Sequence, residues 1–402
     1  MLPLPCCRFR QRGRVREGAS PTTMKFAFTE DQDALRQAAR SFLADHSSGA
    51  HVRAAMDTER GYDPAVWNRI GSELGWTAII IPEEYGGLGL TYVEVIALME
   101  EMGASLLCAP FFSTICLATH ALLLGGTPGF QQQYLPDIAA GTTTATLAST
   151  EANGRWDATG IEAIAQPASD GYALHGTKTF VIDGHTADLL VVAARRQGTH
   201  GPDGVSLFVV PAATAGVTRR HLPTMDQTRK QAEITLRDVR VPTSARLGAE
   251  GRGWDILDRT QALAAIALSA EQVGGAQRCL DLTVDYAKQR MQFGRVIGSF
   301  QAIKHKCADM MLRVESARSA SYYAGWAASV GDPDLPVLAS LAKAYCSDAY
   351  FHCAAEAVQI HGGVGFTWEY DVHLYFKRAK SSETLLGDPA YHRELVARHI
   401  GL

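Results

Sequence analysis

The sequence predicts an α+β chain, mainly helical, built as an N-terminal helical domain, a middle antiparallel β domain and a C-terminal four-helix bundle. Three observations predict it. Apolar residues recur at helical spacing as far as about Gly141. Short β-prone runs separated by turn residues follow, up to Pro242. From Trp254 onward helical spacing returns over much longer stretches. The chain has 402 residues, 47% of them hydrophobic, enough for two or three packed units around a large core. The boundaries are placed at 1–23 for a separate tail, then 24–141, 142–243 and 244–402.

In the tail, Arg8, Arg10, Arg12, Arg14 and Arg16 alternate with other residues, and only Glu17 is acidic. An Arg-rich, acid-poor start is the composition of an organellar presequence, which would send the chain to the mitochondrial matrix. Pro3, Pro5, Gly13 and Gly18 interrupt the amphipathic helix such a segment needs. The favoured expectation is therefore a disordered tail, or an upstream start with Met24 as the true beginning, on a cytoplasmic chain.

Behind Thr29, a residue suited to capping a helix, Leu35, Ala38, Ala39 and Phe42 recur at i, i+3, i+4 and i+7. Val93, Ile96, Ala97 and Glu100 repeat that style after the Gly- and Pro-rich stretch 81–90. In the middle unit the expected strands are Tyr172–Ile182, Leu189–Ala194, Val205–Val210 and Ile234–Val241, with Asp170-Gly171 and Asp183-Gly184 as turns. Leu257–Gln289 contains no proline and reads as one long helix. Gly294 and Gly298 interrupt it, and Ser299 is expected to cap a second helix bearing Phe300, Ile303, Cys307, Met310, Met311 and Val314. A third runs from about Leu335 to Ile360 and ends at His361-Gly362-Gly363-Val364-Gly365.

Several function classes find no support. Net charge is −4 with both signs interleaved, which asks for neither nucleic acid nor an anionic membrane. The longest apolar run, Leu263–Ala270, is too short to span a bilayer. The eight cysteines show no CxxC or zinc-site spacing and mostly sit in apolar helical patterns, as expected in a reducing compartment. His352 and His361 lack a metal-binding spacing, with His361 expected to be a solvated loop histidine, and no Walker A loop or GxSxG elbow occurs.

Chemistry concentrates in the last unit. Arg290, at a helix end beside a Gly-containing turn, is suited to a bidentate grip on a phosphate. Phe293 offers a stacking face, and Gln301 offers amide donors and acceptors. The same residues also fit a structural role: a helix-terminal Arg on the macrodipole, a core Phe and a solvated Gln. The glycines of Gln359-Ile360-His361-Gly362-Gly363 let backbone N–H groups approach an anion, or simply cap a helix.

The segment YAKQRMQFGRVIGSFQAIKHKCADM at Tyr286–Met310 closely resembles a signature of the acyl-CoA dehydrogenase family, and AVQIHGGVGF at Ala357–Phe366 resembles its second C-terminal signature. IPEEYGGLGL at Ile81–Leu90 and LRDVRVP at Leu236–Pro242 are similar to two further family motifs. The four motifs stand in the family's order and span about Phe28 to the C-terminus. The resemblance implies the family's three-domain fold, a dimer of dimers and an FAD lying across a subunit interface. It implies α,β-desaturation of an acyl-CoA thioester, with a carboxylate removing the α-proton and an electron-transferring flavoprotein taking the electrons. Residue by residue, it places adenosine-pyrophosphate contacts on Arg290, Phe293, Gln301, Gln359 and Gly363.

The same resemblance shows where the pattern breaks. The family's base position falls on Leu386, and the alternative position on the long helix falls on Ala264. Glu383 and Glu271 are the nearby acids, each equally readable as a structural or solvated carboxylate. The family's Thr-Glu-Pro-Gly-Ala-Gly-Ser loop reads Thr150-Glu151-Ala152-Asn153-Gly154-Arg155-Trp156 here. The Thr that bonds the flavin ring is Ile182. What is lost belongs to the flavin-ring and substrate half of a site; what is kept belongs to the half lent to a neighbour. The chain therefore resembles the base-lacking subunits of heterotetrameric acyl-CoA dehydrogenases, some of which act on steroid side-chain thioesters, with a base-bearing subunit as partner. The competing expectations are a self-sufficient dehydrogenase using Glu383, and a non-enzymatic structural subunit on the same fold.

Overall fold

Thr29 opens the first helix as its side chain predicts. Its hydroxyl accepts from the Gln32 amide, while the Gln32 side chain accepts from the Thr29 amide, a reciprocal capping box. The computed structural model describes residues 28–402, so the Arg-rich tail and the expectations placed on it lie outside the described residues. Helix α1 (Glu30–His46) is followed by α2 (Gly49–Met56), α3 (Pro64–Ser72), α4 (Tyr92–Ala104), α5 (His120–Gly125) and α6 (Pro128–Ala139). Thr91 and Glu94 form a second capping box at the start of α4. A π-helical segment, Phe112–Thr119, leads into α5; such widened turns recur at functional sites.

The middle unit is one sheet of eight strands: β1 (Ala145–Ala148), β2 (Ile164–Ala168), β3 (Gly171–Ile182), β4 (Leu189–Arg195), β5 (Val205–Pro211), β6 (Val217–Leu222), β7 (Gln231–Pro242) and β8 (Arg246–Leu247). The expected antiparallel sheet is in fact mixed. β1 runs parallel to β4, and β2 adds a parallel bridge to the same strand. The reason is connectivity: the chain passes through the β2–β3 hairpin before reaching β4, so no tight turn joins β1 to β4 and forces them antiparallel.

Beyond the sheet, α7 (Gly253–Gln289), α8 (Gln301–Val330) and α9 (Leu335–His361) form the bundle, with α10 (Val372–Thr384) and α11 (Pro389–His399) packed in turn against α9. Between α7 and α8, β9 (Met291–Gln292) and β10 (Arg295–Val296) pair as a hairpin with Phe293 and Gly294 at its tip. Ser299 does not cap α8. It lies in a 3₁₀ turn and donates to the Val296 carbonyl, leaving the extended Phe300 as the capping residue with no side-chain bond.

The helical N-terminal unit meets the bundle through glycine. A Cβ added at Gly103 of α4 would sit 2.0 Å from the Glu271 carbonyl oxygen of α7, and one at Gly274 1.8 Å from the Glu100 carbonyl oxygen. Only glycine permits this approach, and it fixes Glu271 inside the junction. Cys108, Cys116, Cys279, Cys346 and Cys353 are buried and unbridged, and Cys307 is half-buried. Among the described residues, no helix is long and apolar enough to cross a membrane.

Candidate active site

The residues expected to grip a dinucleotide lie on one end of the bundle. Arg290 caps α7 and is exposed, and its carbonyl accepts from the Ile297 amide, which folds the hairpin back over the helix end. Phe293 stands at the hairpin tip with φ 53° and is 91% exposed. It meets Phe300 edge-on, with ring centroids 6.2 Å apart. A large apolar side chain in a left-handed backbone and in water is disfavoured twice over, which points to a covering ligand or chain. Gln301 begins α8 and is exposed.

Gln359 and Gly363 reach the same end from α9. Both are exposed, and neither Gly362 (φ 64°) nor Gly363 has a heavy atom within 4 Å of an added Cβ, so their backbone is open to a close ligand. The two groups are tied by Tyr286, one turn before Arg290, which stacks on His361 with ring centroids 4.2 Å apart. His361 is thus not the solvated loop histidine the sequence suggested. It closes the last turn of α9, is 5% exposed, and its Nδ1 bonds to the Ala357 carbonyl at 2.7 Å. The apolar contact that the Tyr286 face offers outweighs solvation of the ring.

The positions expected to serve reaction chemistry are different in kind. Leu386 is 6% exposed, with φ 61°, and belongs to one apolar cluster with Leu385, Ile182, Phe111, Phe112 and Ala264. The loop that carries it is held from beneath by Lys343, whose ammonium donates to the Glu383 and Gly387 carbonyls at 3.0 Å each. The Glu383 carboxylate pairs with Lys380 at 2.7 Å. Glu151 is a structural acid. It accepts from the Glu162 and Ala163 amides at 2.9 Å each and pairs with the buried Lys178.

Sequence reasoning missed the cluster beside Ile182. Arg378 of α10, 2% exposed, donates from Nε to Asp226 at 2.8 Å, from Nη1 to Glu271 at 3.0 Å, and from Nη2 to Thr228 at 2.6 Å. Arg229 pairs with the other Glu271 oxygen and lies 4.9 Å over the Phe112 ring; its Nη1 is buried without a hydrogen-bond partner. Asp183 accepts from Ser113 at 2.6 Å. Burial pushes Asp183 up to about 6 against the pull of the Ser113 bond and of Arg229 and Arg378. Burial also pushes Glu271 upward, but the two guanidiniums outweigh it and hold its carboxyl below the ordinary range. A carboxylate so held is a poor general base. Among the described residues, no group of three or more His, Cys, Asp or Glu is placed to hold a metal ion.

Comparison with known proteins places this geometry. The acyl-CoA dehydrogenase N-terminal, middle and C-terminal domain families match residues 29–142, 146–239 and 251–401. The acyl-CoA dehydrogenase IpdE2 of Mycolicibacterium smegmatis is 36% identical over 361 residues, covering 90% of this chain and 96% of that protein. Butyryl-CoA dehydrogenase from Megasphaera elsdenii superposes with a TM-score of 0.88 at 30% identity, covering 94% of this chain and all of that one. A chain of the ChsE4–ChsE5 complex from Mycobacterium tuberculosis does so with a TM-score of 0.85 at 28% identity, covering 94% and 99%.

Proposed function

Since the chain belongs to the acyl-CoA dehydrogenase family of FAD-dependent oxidoreductases, we propose that it serves α,β-desaturation of an acyl-CoA thioester as the base-lacking subunit of a heteromer. In this reading the partner is a base-bearing acyl-CoA dehydrogenase subunit, and this chain lends its bundle end to the partner's FAD. A flavin held there would supply the acceptor for the hydride of the acyl β-carbon, and the partner would supply the base.

One half of an FAD fits this chain and the other does not. The adenosine-pyrophosphate half fits the open bundle end. Arg290 offers a forked cation to phosphate, Phe293 a bare ring, and Gln301, Gln359 and the Gly363 backbone offer amide groups. The flavin-ring half does not fit. Ile182 has no donor for the ring and Leu386 has no proton acceptor; both are buried in apolar surroundings, and Asp183, next to Ile182 in the chain, is buried and bonded to Ser113. The observation that carries the proposal is this split, in one chain, between an open clamp and buried apolar residues at Ile182 and Leu386. Glu383 gives the self-sufficient alternative little support, because its carboxylate is tied to Lys380 at 2.7 Å. The electron acceptor, in this reading, is an electron-transferring flavoprotein.

The test is bound FAD per chain, read from visible flavin absorbance. The chain purified alone is compared with the chain co-expressed with the acyl-CoA dehydrogenase encoded nearest to its gene. Little flavin alone and about one FAD per pair of chains together are expected. Stoichiometric flavin in the isolated chain, bleached by an acyl-CoA, would overturn the proposal.

A further inference from the structure

Resting on the clamp reading, we infer that His361 is a fixed, unprotonated hydrogen-bond acceptor that takes a sugar hydroxyl of the dinucleotide held by Gln359 and Gly363. The ring cannot turn freely. Tyr286 stacks on one face, at 4.2 Å and 21°, and Tyr370 meets it edge-on at 5.8 Å. Its Nδ1 donates to the Ala357 carbonyl at 2.7 Å. A histidine committed in this way carries its proton on Nδ1 and leaves Nε2 as a lone-pair acceptor. Nε2 has no hydrogen-bond partner among the described residues. Burial lowers the tendency of the ring to protonate. Among the described residues, the titratable side chains packed against the ring are the phenols of Tyr286 and Tyr370.

The polarity of this acceptor chooses its ligand group. A lone pair repels phosphate oxygen, so the pyrophosphate belongs with Arg290 and the backbone N–H groups of the glycine turn. The group left to face Nε2 is a donor without charge, and a dinucleotide offers hydroxyls on its adenosine ribose and on its ribityl chain. His361 lies between Gln359 and Gly363 in the chain, immediately before the turn at Gly362 (φ 64°), where the backbone opens. It is therefore a binding residue for the cofactor, held in register by Tyr286, whose hydroxyl donates to the His361 carbonyl at 3.4 Å.

The experiment measures FAD affinity of the co-purified heteromer by fluorescence titration after flavin removal, for wild type, Arg290→Ala, His361→Phe and His361→Gln. Phenylalanine keeps a flat ring against Tyr286 but has no acceptor; glutamine restores one near Nε2. Loss of one hydrogen bond to an otherwise intact site predicts about 3- to 10-fold weaker FAD binding for His361→Phe. Most of that affinity should return in His361→Gln. Wild-type affinity should fall as pH is lowered below the ordinary histidine range, because protonation removes the acceptor, while the phenylalanine variant stays flat. ADP as a second probe separates the sources. ADP binding weakened in parallel identifies the adenosine ribose, and ADP binding unchanged while FAD weakens identifies the ribityl chain. His361→Phe binding FAD as tightly as wild type at every pH, with Arg290→Ala weakened, overturns this inference alone. Wild type failing to bind FAD, or Arg290→Ala binding it normally, overturns the clamp reading and this inference with it.

Discussion

Replacing Arg378 with methionine tests the buried cluster directly. The guanidinium is 2% exposed and, among the described residues, is the only partner of Asp226 Oδ2, at 2.8 Å, while Asp226 Oδ1 keeps the Thr228 amide and hydroxyl. Glu271 keeps Arg229 on its second oxygen. Methionine preserves most of the volume, so the main loss is electrostatic: two carboxylate oxygens, Asp226 Oδ2 and Glu271 Oε1, lose their guanidinium partner away from water. Breaking one side of a buried ion pair costs roughly 3–5 kcal/mol. With an unfolding entropy of about 2 cal/mol/K per residue, that lowers the melting temperature of a chain this long by about 5 °C. Scanning calorimetry at pH 7 on Arg378→Met, Asp226→Asn and the double variant reads it. In the methionine background Asp226→Asn should recover at least about 1 kcal/mol, because it removes the stranded charge. A melting temperature of Arg378→Met within 1 °C of wild type, or strictly additive single effects, would refute the view that these charges hold the junction together.

Other consequences follow from the same cleft. Burial raises Asp183 to about 6, so the folded chain binds its proton more tightly than the unfolded chain does. Its stability penalty is absent well below pH 4, grows as pH rises toward 6 and is complete above that. Asp183→Asn should therefore gain on wild type in melting temperature between pH 4 and 6 and hold that gain at pH 7; a difference that ignores pH refutes this. Leu386→Glu puts a carboxyl back at the family's base position, but in a pocket 6% exposed within an apolar cluster. It should destabilise the chain by about 1–3 kcal/mol and give no acyl-CoA-dependent dye reduction in the isolated chain; turnover there would show the cleft to be open. Glu383→Gln should leave turnover of the heteromer near wild type, since its carboxylate serves Lys380; a drop on the order of 100-fold would make it the base.

How much of this could be read in the sequence depends on how local each feature is. The long helices were legible because α7, α8 and α9 each repeat one pattern over many turns without proline in their interiors. The clamp was legible because Arg290, Phe293 and Gln301 stand within one short stretch. β1 and β2 escaped because each is only four or five residues long, and β6 because it is an edge strand bearing Arg219, Arg220 and His221. The buried polar cluster escaped for another reason. Ser113, Asp183, Asp226, Arg229, Glu271 and Arg378 come from five separate parts of the chain, and each alone reads as an ordinary polar residue. A signal was nevertheless present. Glu271 interrupts a run of buried residues from Leu263 to Ala276, and Arg378 shares a helix face with Leu374, Tyr375 and Ser382. A charge on a stripe that must be buried requires a buried counter-charge, and two opposite ones in a single chain are natural candidates for each other.

The cysteines give the molecule a reporter of its own. Among the described residues, burial raises all six thiols, but Cys108, Cys116, Cys279, Cys346 and Cys353 are buried and slow to alkylate, whereas Cys307 opens half-way onto the groove between α7 and α8, beside Val284, Lys288 and Met311. In a chain with Cys6 and Cys7 changed to serine, a maleimide dye would attach at that single position without any introduced cysteine. Its emission would then register, in real time and at nanomolar protein, whether another chain has come to rest on that face of the bundle.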